Sequence, residues 1–182
     1  MLTLAETGLR RALPGRDDAL TSLEHREAIE RLRERTKHTI AFRESRFDGS
    51  CMTFALGLDT IDAYRRVALA FEPPVFAGKD FAHWLIDEIE QSEGPTPGCL
   101  VLYFEGETWR HVGTLDDAEA LRVVSKWGEM AVFEHGLNEI PAGYGDNARF
   151  FLKPSPQKAL DFFLNYAQRR RRLILLSFWS GR

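Results

Sequence analysis

Cys51 stands where the turn-forming run Asp48-Gly49-Ser50 gives way to the apolar pattern Met52-Thr53-Phe54-Ala55-Leu56. Asp48 and Ser50 are both helix-capping residue types, so the sequence predicts a helix whose first residue is Cys51. The first N–H groups of a helix lack intrahelical acceptors and lie at the positive end of its dipole, which favours a thiolate over a thiol. The chemistry open to such a thiolate is nucleophilic attack on a carbonyl carbon, and that needs a base. His111, on an apolar stretch in the second half of the chain, is the right residue type. An imidazole near the thiol takes its proton, and a third polar group holds the ring in the useful tautomer. Both residues also have a structural reading. Cys51, Phe54, Ala55 and Leu58 fall at i, i+3, i+4 and i+7, the buried stripe of an amphipathic helix, and free cysteine is among the most buried residue types.

The elements that must position this pair divide the chain into two halves. Thr21 and Glu24 form a capping box ahead of a charged amphipathic helix over 21–37, and an extended piece over 39–42 leads into the Cys51 turn. The Cys51 helix breaks near Gly57. A second helix starts at Asp59 or Thr60 and runs through Tyr64 and Val67 until Pro73 and Pro74 end it, and a third is capped by Asp80 with Phe81, Trp84, Leu85 and Ile89 on its apolar face. The turn cluster Gly94-Pro95-Thr96-Pro97-Gly98 closes the helical half. An antiparallel meander follows, with strands over 99–104, 108–115, 121–125 and 130–133 and an edge strand over 148–152. Ser155 and Pro156 begin a last helix carrying Ala159, Phe162, Phe163 and Tyr166. The run Arg169-Arg170-Arg171-Arg172 suits a helix end, and 173–179 reads as a final strand or a docking segment. Helices first and an antiparallel sheet afterwards predict an α+β fold, with Cys51 heading a helix and His111 on a central strand.

Composition narrows the setting. A chain of 182 residues, 44% apolar and 28% charged, fits one globular domain able to bury a core without staples. Cys51 and Cys99 are the only cysteines, which predicts reduced thiols and a cytoplasmic setting. A net charge of −3 gives no general attraction to nucleic acid. The first residues lack the basic start and apolar core of a secretory signal, and no apolar run approaches the roughly 18 residues of a membrane span. The histidines His25, His38, His83, His111 and His135 show no zinc-ligand spacing, and the glycines near Gly143 and Gly145 do not form a phosphate loop. No metal and no cofactor are expected.

Three stretches resemble the NlpC-type branch of the papain-like cysteine peptidases and amidases. Ser50-Cys51-Met52-Thr53-Phe54 is similar to the family's Asp-Cys-Ser-Gly-Phe, Gly98-Cys99-Leu100-Val101-Leu102-Tyr103-Phe104 to its Gly-Asp-Leu-Val-Phe-Phe strand, and His111-Val112-Gly113-Thr114-Leu115 to its His-Val-Gly-Ile-Tyr strand. The resemblance spans about 50–125. A subset of relatives also resembles Ser125-Lys126-Trp127-Gly128, the following His135, and Pro141-Ala142-Gly143-Tyr144-Gly145. The resemblance implies a papain-like domain over 1–182, with a core over about 38–153 and helical extensions at 1–37 and 154–182. It carries over Cys51 as nucleophile and His111 as base. The family's third catalytic residue falls near Ser125, with His135 as its substitute and Asn138 as a further alternative. The Cys51 backbone N–H joins the oxyanion hole.

The implied function is a thiol hydrolase or acyltransferase that acts on a peptide, amide or other acyl bond through a Cys51 acyl-enzyme. Cell-wall peptides are the family's common substrates. Without an export signal, cytoplasmic residence or delivery by a signal-independent secretion route is expected. The rival is a papain-like binding module that has lost catalysis, favoured by serine at 125, since a hydroxyl orients an imidazole less firmly than a carboxylate or amide.

Overall fold

The computed structural model describes residues 2–15, 20–46, 49–128 and 130–180, with side chains described as far as 171. Ahead of α2 (Ser22–Arg33), whose Thr21 and Glu24 form the expected capping box, α1 (Leu4–Ala12) carries the same box at Thr3 and Glu6. After β1 (Ala41–Ser45) come α3 (Cys51–Leu56), a short 3-10 turn, α4 (Asp62–Leu69) and α5 (Lys79–Glu88). The strands β2 (Leu100–Glu105), β3 (Thr108–Asp117), β4 (Arg122–Trp127), β5 (Ala131–Gly136) and β6 (Asn147–Phe151) follow, and α6 (Pro156–Ser180) ends the described chain.

Among the described residues, these strands form a six-stranded sheet in the order β1-β5-β4-β3-β2-β6, antiparallel at every step. The fold is α+β, with the expected meander over β2 to β5, β6 as an edge strand and a C-terminal helix. Strand alternation gives the sheet two apolar faces. Leu100, Leu102 and Val112 pack with Met52, Leu56, Phe81, Leu85 and Phe163 from α3, α5 and α6. Val101, Tyr103, Leu115, Val123, Trp127 and Phe133 pack on the other face with Leu9 of α1 and Ile29 of α2.

Several boundaries differ from expectation for local reasons. Gly78, not Asp80, is the N-cap of α5, and it provides no side-chain cap; the Asp80 carboxylate lies in the first turn and pairs with Arg170 at 3.3 Å. The second helix begins at Asp62 because the 3-10 turn at Leu58–Thr60 takes up Asp59 and Thr60. The backbone over 173–179 is neither strand nor separate segment; it continues α6. Asp48 lies outside the described residues. No helix among those described is long and apolar enough to cross a membrane.

One irregularity positions the site. The register of β3 with β4 runs from Asp117↔Arg122 to Gly113↔Ser125 and stops, although β3 begins at Thr108 and β4 continues to Trp127. Beyond Gly113 the two strands part, and α3 packs against both.

Candidate active site

Cys51 is the first residue of α3 and is half-buried. The Ser50 hydroxyl accepts the Thr53 backbone N–H at 3.3 Å and donates to the Ala77 carbonyl at 3.1 Å, so one side chain caps the helix and ties it to the segment before α5. Gly49 has φ +76°, and a Cβ there would stand 2.2 Å from Thr53 Oγ1, so glycine is required for this tight entry. Lys126, 1% exposed on β4, donates from Nζ to the Gly49 carbonyl. The approach to Cys51 is thereby pinned to both the α5 layer and the sheet.

His111 is buried on β3 opposite Tyr103 of β2, and directly paired strand residues share a face. Its ring therefore lies on the α1–α2 side of the sheet, where it stacks on Tyr144 with centroids 4.1 Å apart and planes 15° apart. The Tyr144 hydroxyl accepts the Gly128 backbone N–H at 2.9 Å, which fixes the stacking partner in turn. Cys51 belongs to the helix layer on the opposite face. Cys51 and His111 both line one cavity of about 410 Å³, together with Lys79, Trp109, Lys126 and Tyr144, among others. A cleft of this size, with a thiol at a helix head and an imidazole on its walls, suits attack on a bound carbonyl carbon. Cys99, by contrast, is 3% exposed in the core.

Ser125 and His135 are placed differently. Both are fully buried, neither lines the cavity, and neither bonds to His111. They bond to each other, Ser125 Oγ to His135 Nε2, at 2.8 Å. The Trp127 indole N–H donates to Ser125 Oγ at 2.8 Å, and His135 Nδ1 lies 2.8 Å from the Gly136 carbonyl. A carbonyl only accepts, so Nδ1 carries the ring proton, Nε2 accepts from the serine hydroxyl, and the chain of donors closes. Burial pushes the His135 pKa down to about 4, so the ring is neutral. Gly113 admits this cluster beneath β3, since a Cβ there would lie 2.5 Å from Val123 Cγ1 and 2.9 Å from Ser125 Cβ. Asn138 is remote, donating to Glu6 at the head of α1 at 3.0 Å.

Among the cavity residues, Lys79 and Arg110 carried no signal in the sequence, whereas Trp109 is the core or pocket-wall residue that its type suggests. Lys126 and Tyr144 stood in quoted stretches without an assigned role. No group of three His, Cys, Asp or Glu among the described residues could hold a metal ion. Compared with models of known protein families, with curated proteins and with solved structures, the chain matches none.

Proposed function

We propose that the protein is a papain-like thiol hydrolase or acyltransferase of the NlpC type, acting on a peptide, amide or related acyl bond. The observation that supports this most is the shared cavity of a cysteine heading a helix and a buried imidazole whose plane is set by stacking. His111 takes the Cys51 thiol proton as sulfur attacks the carbonyl carbon. The tetrahedral oxyanion faces the Cys51 backbone N–H at the helix start. Collapse breaks the carbon–nitrogen or carbon–oxygen bond, and His111 returns the proton to the leaving group. Water, or another acceptor, then attacks the thioester with His111 again taking the proton; the carbon–sulfur bond breaks, the acid or transfer product leaves, and His111 returns the proton to the Cys51 sulfur. Tyr144 holds the ring rotamer by stacking, a task that neither Ser125 nor His135 performs while each is bonded to the other.

That same closed pair favours a second reading, a papain-like binding module without turnover. Incubation with 4-nitrophenyl acetate, acid quench and peptide mass spectrometry separates them. The hydrolase reading expects an acetyl adduct on Cys51 in the native protein and at least a tenfold slower adduct in His111→Ala. Adduct formation at Cys51 that is indifferent to His111, or no adduct there, supports the module.

A further inference from the structure

Tyr144, whose ring stacks on His111 with centroids 4.1 Å apart, closes the 3-10 turn Ala142–Tyr144. The next residue, Gly145, takes φ +98° and ψ 159°, a conformation essentially confined to glycine. A Cβ there would stand 2.7 Å from the Phe104 carbonyl, so the joint lies hard against β2. Glycine is the most permissive joint in a chain, and the direction of its peptide group has to be set from outside.

Arg10 of α1 sets it. Arg10 is 4% exposed, and its Nη2 donates to the Gly145 carbonyl. A guanidinium is buried only against acceptors and opposite charge, and the carboxylates that act on this one are Asp146, beside the joint, and Glu6, one turn back on α1. Two further observations tie α1 to the same loop. Asn138, where the loop leaves β5, donates to Glu6 at 3.0 Å, and Leu9 and Leu13 share a core cluster with Ile140 and Tyr144. The contact is not filled throughout: Thr7 and Arg10 from one side and Ala142 and Gly145 from the other line a cavity of about 210 Å³. Where packing leaves a gap, the charged hydrogen bond carries the contact.

We propose that Arg10 is a positioning residue for His111: it holds the Gly145 carbonyl, the joint holds the Tyr144 ring, and the ring holds the imidazole. Only the last step, from the imidazole to Cys51, rests on the thiol chemistry above. The N-terminal helix, outside the stretch that carries the family resemblance, is then part of what sets the base. The Tyr144 hydroxyl, bonded to Gly128, holds the far end of the same ring, so losing Arg10 costs less than losing the ring.

Arg10→Met keeps most of the side-chain volume and removes the donor, and two readouts follow its effect. The first is the chemical shift of the His111 ring protons, assigned by their loss in His111→Ala. A ring stacked at this distance shields them, so they should move downfield in Arg10→Met, toward their position in Tyr144→Ala. The second is the rate of Cys51 acetylation by 4-nitrophenyl acetate per folded molecule, expected to fall about threefold, a small part of what a positioned base contributes. Added to Tyr144→Ala, Arg10→Met should lower that rate no further, because residues that act through one another do not add. Asn138→Ala loosens the other tie and should move both readouts the same way by less; it takes the place of Arg10→Met if that variant does not fold. An unmoved His111 shift, an undiminished rate, or an equal loss of rate with and without the Tyr144 ring overturns the proposal. A shift that moves in a protein whose Cys51 takes no acetyl group at all overturns the hydrolase and leaves Arg10 as the residue that positions His111.

Discussion

Two polar clusters, one within β4 and β5 and the other between β3 and the head of α3, differ in almost every respect. In the Ser125–Trp127–His135 cluster each group donates its own hydrogen to the next, from the Trp127 indole through the Ser125 hydroxyl and the His135 ring to the Gly136 carbonyl, and no member lines the cavity. In the Cys51–His111 cluster the groups come from a helix head, a strand and the Tyr144 turn, and they line a common space. The first arrangement uses up its hydrogen-bonding capacity inside the protein, which is how buried polar groups become part of a stable core. The second keeps a thiol and several cations on a wall where a substrate can meet them. Residue type alone does not separate these cases, since each contains a buried histidine; what separates them is whether the strands around it stay paired.

Several substitutions and conditions sharpen that contrast. The largest effect is expected from acid on the closed cluster. In the unfolded chain His135 takes its proton near the ordinary 6.5, whereas in the folded protein burial delays this to about 4. The unfolded state therefore binds more protons between those values, so stability from this group is complete above about pH 6.5 and is lost as pH falls toward 4. The loss is roughly 3 kcal/mol, read from urea unfolding at a series of pH values. His135→Gln should flatten that dependence, and an equally steep one would place the titration elsewhere.

Ser125→Ala comes next. It leaves the Trp127 indole N–H and His135 Nε2 buried without their partner, which costs about 2 to 3 kcal/mol. Thermal unfolding should shift downward while Cys51 reactivity per folded molecule is unchanged. A variant of native stability with slowed chemistry would instead make Ser125 the orienting group. Tyr144→Ala gives the smallest effect and the opposite pattern. Loss of the 4.1 Å stack frees the His111 ring, and we expect about a tenfold lower rate of Cys51 acylation, a modest part of what a positioned base contributes. Tyr144→Phe keeps the stack and loses the Gly128 bond, so it should recover most of that rate.

Much of this arrangement was legible before any coordinates. Ser50 at the N-cap, Gly57 at the C-cap with φ +69°, and the capping box at Thr21 and Glu24 are local signals, and local signals survive folding. Thr3 and Glu6 carry the same signal for α1, and it stands in the sequence. The meander and the central place of His111 follow from short alternating runs between turns. The partnership of Ser125 with His135 is of another kind. It depends on the β4–β5 register, which pairs Val123 with His135 and Ser125 with Phe133 and so sets serine and histidine diagonally on one face. The cavity is harder still, because its wall is assembled from α3, the head of α5, β3, β4 and the Tyr144 turn, and no spacing in the chain records where two strands separate.

The central claim is that Cys51 and His111 act as one unit across that separation, and the pH dependence of Cys51 alkylation tests it most directly. With iodoacetamide and peptide-level mass spectrometry, Cys51 should label at least tenfold faster than Cys99 at neutral pH and keep reacting well below the ordinary thiol value of about 8.5. In His111→Ala that low-pH reactivity should disappear, with Cys99 unchanged. If Cys51 instead titrates as an ordinary thiol, or keeps its reactivity without His111, the two residues share a cavity and no chemistry.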